Sequence, residues 1–140
     1  SILIGKKIVV FGGKDATTGF NDTWILDFSS ITNGQWTKIN ISPAPPKLYV
    51  HRAVYLSTAD YMVVYGGRDW DTGANSDAVW VLKNASNPAQ MKWVSATITS
   101  ATTPSAPRLH TMEVISGNIL IWGGLESNSS EFWKLTLTPQ

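Results

Sequence analysis

The side chains best suited to chemistry lie in one stretch, Arg68-Asp69-Trp70-Asp71-Thr72-Gly73-Ala74-Asn75-Ser76-Asp77. A tryptophan flanked by carboxylates can stack on a sugar ring or anchor a peptide as a binding hot spot. Arg68, Asp69, Trp70 and Asp71 are therefore the candidate ligand-binding residues. The plainer alternative is a tryptophan that packs its own loop, with aspartates holding turns through backbone hydrogen bonds. Asp69, Asp71 and Asp77 also offer oxygens to Ca²⁺, but the spacing of a calcium-binding loop with its terminal Glu is absent, and no metal or cofactor is assigned. His51 and His110 are the only histidines. Each precedes an apolar run, so one repeated structural role accounts for both. The sequence carries no H-E-x-x-H, P-loop or G-x-S-x-G motif and no Ser-His-Asp order, so no catalytic residue is assigned and the chain reads as non-enzymatic.

Bulk composition narrows the partners. The net charge of +1 over 140 residues provides no field to steer nucleic acid or an anionic membrane. No apolar run approaches the roughly 20 residues of a membrane-spanning helix, so membrane insertion is not expected. The sequence as given shows no targeting signal. Without cysteine, disulfides and thiolate metal sites are excluded, and the redox compartment stays open. Asn21, Asn40, Asn84 and Asn128 each begin an N-x-[ST] sequon, in segments read as loops or strand ends. These candidate glycosylation sites favour a secreted or cell-surface protein over a cytoplasmic one.

The elements that position these residues are repeated. An aliphatic run, an aromatic and Gly-Gly appear at Ile8–Gly13, Met62–Gly67 and Ile119–Gly124. The copies are offset by 54 and 57 residues, and a period of about 50 residues marks an array of equivalent units. Each Gly-Gly is followed by W-x-L at Trp24, Trp80 and Trp133, a spacing that puts Trp and Leu on one face of a strand. A later Trp stands at 36 and 93. Pro43-x-x-Pro46-Lys47 before His51 is echoed by Pro104-x-x-Pro107-Arg108 before His110. Four strands per unit follow, at 51–57, 61–67, 77–83 and 91–97 in the central copy, lettered a to d. The consecutive apolar residues of the b runs suit strands buried on both faces. Six of the seven tryptophans fall in repeat elements and are expected in the core; Trp70 is the exception.

Taken together, these motifs resemble the Kelch repeat family, and the resemblance covers nearly the whole chain. It implies an all-β fold, a segment of a Kelch-type β-propeller with about three blades, each a four-stranded antiparallel sheet. Blade one spans about 1–40, blade two about 50–97 and blade three about 109–137, lacking its last strand. The gap Leu48-Tyr49-Val50 before His51, against Leu109 alone before His110, leaves the start of strand a unfixed. Under three blades is short of a ring. The expectation is a segment of a longer propeller, or a chain that closes a ring with a second copy of itself.

In such a blade the b–c and d–a connections share one end. Here the b–c segments are long (14–21, 68–76 and 125–129) and the d–a segments are Pro-rich, which nominates that end as the binding face. The leading expectation is a non-enzymatic scaffold that binds a protein or glycan ligand there, around Trp70. One alternative is a fragment of a secreted oxidase of the galactose oxidase type. The resemblance implies a copper site using a Tyr-linked Cys, which this cysteine-free chain cannot itself supply. Another is a self-assembling structural component.

Overall fold

The computed structural model describes residues 1–105, 107–125 and 131–137. Among these, all regular structure is β-strand, arranged as three antiparallel sheets and one short ribbon. The first sheet holds β1 (Ile2–Ile4), β2 (Lys7–Lys14), β3 (Gly19–Asp27) and β4 (Gln35–Ile39), in that spatial order. In the second, β6 (Arg52–Leu56), β7 (Tyr61–Tyr65), β9 (Val79–Lys83) and β10 (Lys92–Ala96) are again consecutive neighbours. The third contains β11 (Thr111–Ile115), β12 (Asn118–Trp122) and β13 (Phe132–Leu135). The ribbon pairs β5 (Leu48–Tyr49) with β8 (Arg68–Asp69).

Alternation along β7 explains why the sheets stack. Met62 and Val64 point into a cluster with Val9, Phe11 and Ile25 of the first sheet. Val63 and Tyr65 point the other way, against Met112, Ile119 and Ile121 of the third. A strand reading Tyr-Met-Val-Val-Tyr can therefore serve two interfaces at once, as the unbroken apolar run requires. Each such aliphatic side chain contributes roughly 1.5–3 kcal/mol on burial.

The Gly-Gly pairs are the joints between sheets. Gly66 and Gly67 have φ of +68° and +88°, a region that only glycine enters freely. A Cβ on Gly66 would collide with the Pro107 carbonyl oxygen and lie 2.7 Å from Cε1 of His110, at the entrance to the third sheet. A Cβ on Gly67 would lie 2.7 Å from Cβ of His51, in its own sheet. Thus the first glycine admits the next sheet's histidine, and the second admits the sheet's own. The Gly67 N–H closes the joint by donating to the Pro107 carbonyl at 2.9 Å. Gly12 against His51 and Gly124 against His110 repeat the arrangement.

Three sequence expectations change. The Pro-x-x-Pro echo is not the structural register, which is counted back from the histidine. Val50 and Leu109, immediately before His51 and His110, both have positive φ, and strands β6 and β11 start directly after the two histidines. Tyr49 pairs with Arg68 just as Arg108 bridges to Leu125, so the three-residue gap holds the two-residue ribbon strand β5 followed by Val50. Half of the segment 14–21 is strand, with its turn confined to 15–18, where the Asp15 carboxylate accepts the N–H groups of Thr17 and Thr18 at 2.7 Å each. Trp36 is no core residue: it is 56% exposed, whereas its repeat equivalent Trp93 is 1% exposed. The reason is that Trp93 points at the first sheet, while Trp36 points to the face of the first sheet on which no other sheet of the described residues packs.

Candidate functional site

The strand directions bring the β2–β3 and β7–β9 connections and the chain between β4 and β6 to one end of the stack. There the ribbon ties the sequence-predicted residues into place. Arg68 and Asp69 form β8 itself. Arg68 Nε donates to the Gly73 carbonyl at 2.7 Å, closing the loop beyond it. The Asp69 carboxylate accepts the N–H groups of Asp71 (2.8 Å) and Thr72 (3.2 Å), the turn role open to it from sequence. Asp71 pairs instead with Lys47 at 2.9 Å, across to the segment before β5.

Trp70 is half-buried. Its backbone N–H donates to the Lys47 carbonyl at 2.9 Å. Its side chain lies so close over Gly19 of β3 that a Cβ there would collide with Trp70 Cβ and Cγ. Tyr49 meets the indole edge-on at 6.0 Å between centroids, and the Lys14 ammonium lies over both rings, 5.4 Å from Trp70 and 5.7 Å from Tyr49. The loop of the second sheet is thus docked on the hairpin of the first. Sequence reasoning missed Lys14, Gly19, Lys47 and Tyr49 as members of this cluster. The signal available was the irregular spacing ahead of His51, which houses the ribbon.

Asp77 stands apart from this cluster, close to Tyr65, whose hydroxyl burial and then the Asp77 charge push up to about 12. Among the described residues no group of three or more His, Asp or Glu side chains is placed to hold a metal ion. His51 and His110 sit at successive joints rather than together. Burial depresses both to about 4, with the Arg52 guanidinium adding to the effect at His110. They are neutral packing groups at physiological pH. Of the sequon asparagines, Asn21, Asn40 and Asn84 are all exposed, and the Asn84 amide donates to the Gln90 carbonyl at 2.9 Å. Asn21 falls inside β3, with its side-chain amide donating to the Pro45 carbonyl at 3.2 Å. Asn128 lies outside the described residues.

Stacked antiparallel sheets joined through Gly-Gly and His define the class: a Kelch-type β-propeller segment. The chain belongs to the Kelch-repeat family, because the KLHDC2/KLHL20/DRC7 Kelch-repeats domain matches residues 1–138. It is 35% identical over 65 residues to Adagio-like protein 1 of Oryza sativa subsp. japonica, which covers 46% of this chain and 10% of that protein. It is also similar to two acyl-CoA-binding domain-containing proteins of Arabidopsis thaliana. With protein 5 it shares 35% identity over 66 residues (46% of this chain, 10% of the relative), and with protein 4, 29% over 130 residues (91% and 18%). The chain therefore spans between 10% and 18% of the length of these relatives. Kelch-repeat domains generally serve as protein-interaction modules.

Proposed function

We propose that this Kelch segment binds a protein partner through the end of the stack that carries Lys14, Tyr49, Trp70 and Asp71. The observation that carries the reading is the cross-locking of two neighbouring sheets' loops: the β5–β8 ribbon, the Trp70 indole on Gly19 and the Lys47–Asp71 pair. Such a surface loses little freedom on binding, and preorganisation of this kind converts directly into affinity. It sets aromatic rings, a residue class enriched in protein interfaces, inside a polar surround of the kind that rims them. A glycan ligand has less support, because a sugar stacking on Trp70 would first have to displace the Lys14 ammonium. The exposed sequons at Asn40 and Asn84 favour a secreted or cell-surface setting for this binding.

A phage-displayed peptide library selected on the chain tests the reading. Selected peptides are expected to lose at least about tenfold in affinity on Lys14→Ala or Asp71→Ala, with the melting temperature unchanged, since truncating a hot-spot residue costs 2 kcal/mol or more. Lys92→Ala, at the opposite end of the second sheet, is expected to leave binding intact. Peptides that respond to Lys92→Ala and ignore the other two would overturn the assignment.

A further inference from the structure

We infer that Asn33 is a site of spontaneous modification, at which the Gly34 backbone nitrogen displaces the side-chain amide and leaves an aspartyl or isoaspartyl link. The site is independent of the loop face proposed above. It lies in the β3–β4 connection, at the other end of the first sheet.

Asparagine is thermolabile because its own backbone can attack its side chain. The reaction needs an untethered amide, a following N–H without a partner, and a backbone loose enough to close a five-membered ring. The Gly34 nitrogen loses its proton and bonds to Cγ of Asn33. The Cγ–Nδ2 bond breaks, and the amide nitrogen departs as ammonia with that proton. Water then opens the cyclic imide. Cleavage at Cγ restores the original chain path, with an aspartate at position 33. Cleavage at the backbone carbonyl carbon routes the chain through Cγ and lengthens it by one carbon atom. One water is consumed and one ammonia released, so no oxidant or reductant is required.

The chain has eight asparagines, and all but Asn128 lie among the described residues. At six of these seven the fold or the sequence withholds a requirement. The Ser76 N–H after Asn75 donates to the Gly67 carbonyl at 2.9 Å. The Ala85 N–H after Asn84 donates to the Asp60 carbonyl at 3.0 Å, and the Asn84 amide is itself tied to Gln90. Asn87 precedes Pro88, which has no N–H. Asn21 and Asn118 lie in β3 and β12, with their amides on the Pro45 and Ser116 carbonyls at 3.2 Å each. Asn40 precedes Ile41, which is branched at Cβ and packs against the core.

Asn33 alone keeps all three. Neither its amide nor the Gly34 N–H has a hydrogen-bond partner among the described residues. Every residue from 29 to 38 is exposed, and even the aliphatic Ile31 is 96% exposed, so no packing holds the loop. Glycine gives the attacking nitrogen the widest backbone freedom of any residue. The product alters the loop in two ways. Segment 28–34 carries no charged side chain, so a carboxylate at position 33 is its first charge. The isoaspartyl form also inserts its extra carbon two residues before Gln35, whose pairing with Asp27 begins β4.

The test ages the whole chain in mildly alkaline buffer and follows each asparagine by peptide mass mapping, with enzymatic methylation reporting isoaspartate. Asn33 is expected to convert at least about tenfold faster than the other six, because only its neighbour is both unbonded and glycine. Gly34→Ala is expected to slow it about tenfold or more by restricting the attacking residue. That variant should fold, since the added Cβ meets only the flexible end of Leu26, at 3.2 Å from Cδ1. In urea, Asn75 and Asn84 are expected to gain on Asn33 as the Ser76 and Ala85 N–H groups are released. The inference is overturned if another asparagine converts first in the folded chain, or if Gly34→Ala reacts at the wild-type rate. Conversion of Asn33 in urea alone also overturns it, because the fold would then protect the site.

Discussion

At the scale of single residues, the joint between sheets rests on two groups that exclude each other's alternatives. Gly66 has no side chain because the His110 ring needs its space, and His110 is fully buried because Gly66 yields it. The Gly-Gly and His motifs were legible in the sequence, since both recur at the array's period. Their mutual contact was not, because it joins residues of neighbouring repeats. Trp70 stood out by breaking the pattern, but its seat on Gly19 could not be read, since no periodicity links a loop to the hairpin before it. The joint makes acid stability testable. His51 and His110 titrate near 4 in the folded chain and near 6.5 when unfolded, so between these values the unfolded state binds more protons. Their contribution is complete above about pH 6.5 and is lost as the pH falls toward 4, by at most about 1.4 kcal/mol per pH unit for each histidine. Urea unfolding of wild type and His110→Gln across pH 7.5 to 4.5 should show a shallower acid loss in the variant. Parallel curves would remove His110 from the account.

At the scale of the strand, position within the stack outweighs the repeat. Trp36 and Trp93 hold the same register: Trp36 pairs with Leu26 and Trp93 with Leu82. Sequence equivalence predicted equal burial, and the structure gives 56% and 1% exposure. What differs is the neighbour. Trp93 faces Phe11 and Thr23, whereas Trp36 meets chiefly Trp24, edge-on at 6.5 Å within its own sheet. Strand existence and facing were legible because they depend on alternation within about ten residues. Burial was not, because it depends on which sheet comes next. Trp93→Ala should destabilise the chain by about 3–5 kcal/mol, the range for emptying a buried aromatic site. Trp36→Ala should cost no more than about 1 kcal/mol, as for a surface substitution with a little packing. Chemical denaturation of the two variants checks this, and equal losses would show that the open face of the first sheet is covered in solution.

At the scale of the whole molecule, the two outer faces of the stack are unlike. The first sheet presents the row Leu3, Ile8, Leu26 and Trp36, linked strand to strand. The corresponding row of the second sheet, Tyr55, Met62, Leu82 and Trp93, is the one packed against the first sheet. The first sheet's outer face therefore has the chemistry of an interface. The opposite end of the stack does not. Where the first two sheets set Ile2, Val9 and Ile25, or Val54, Val63 and Val81, across their strands, the third sets Glu113, Leu120 and Lys134. Both charged side chains are exposed. Packing this face on the first sheet of a second copy would strip water from two charges on opposite sides of β12, at a cost of several kcal/mol each. A two-copy ring is thus opposed by these two residues, and removing them should release it. Glu113→Val with Lys134→Ile restores the apolar row, and sedimentation velocity should then show concentration-dependent, head-to-tail association that is weak or absent in the wild type. Adding Trp36→Lys, which places a charge on the complementary face, should return the double variant to the wild-type sedimentation behaviour. If the double variant sediments like the wild type, the charges are not what separates the two ends.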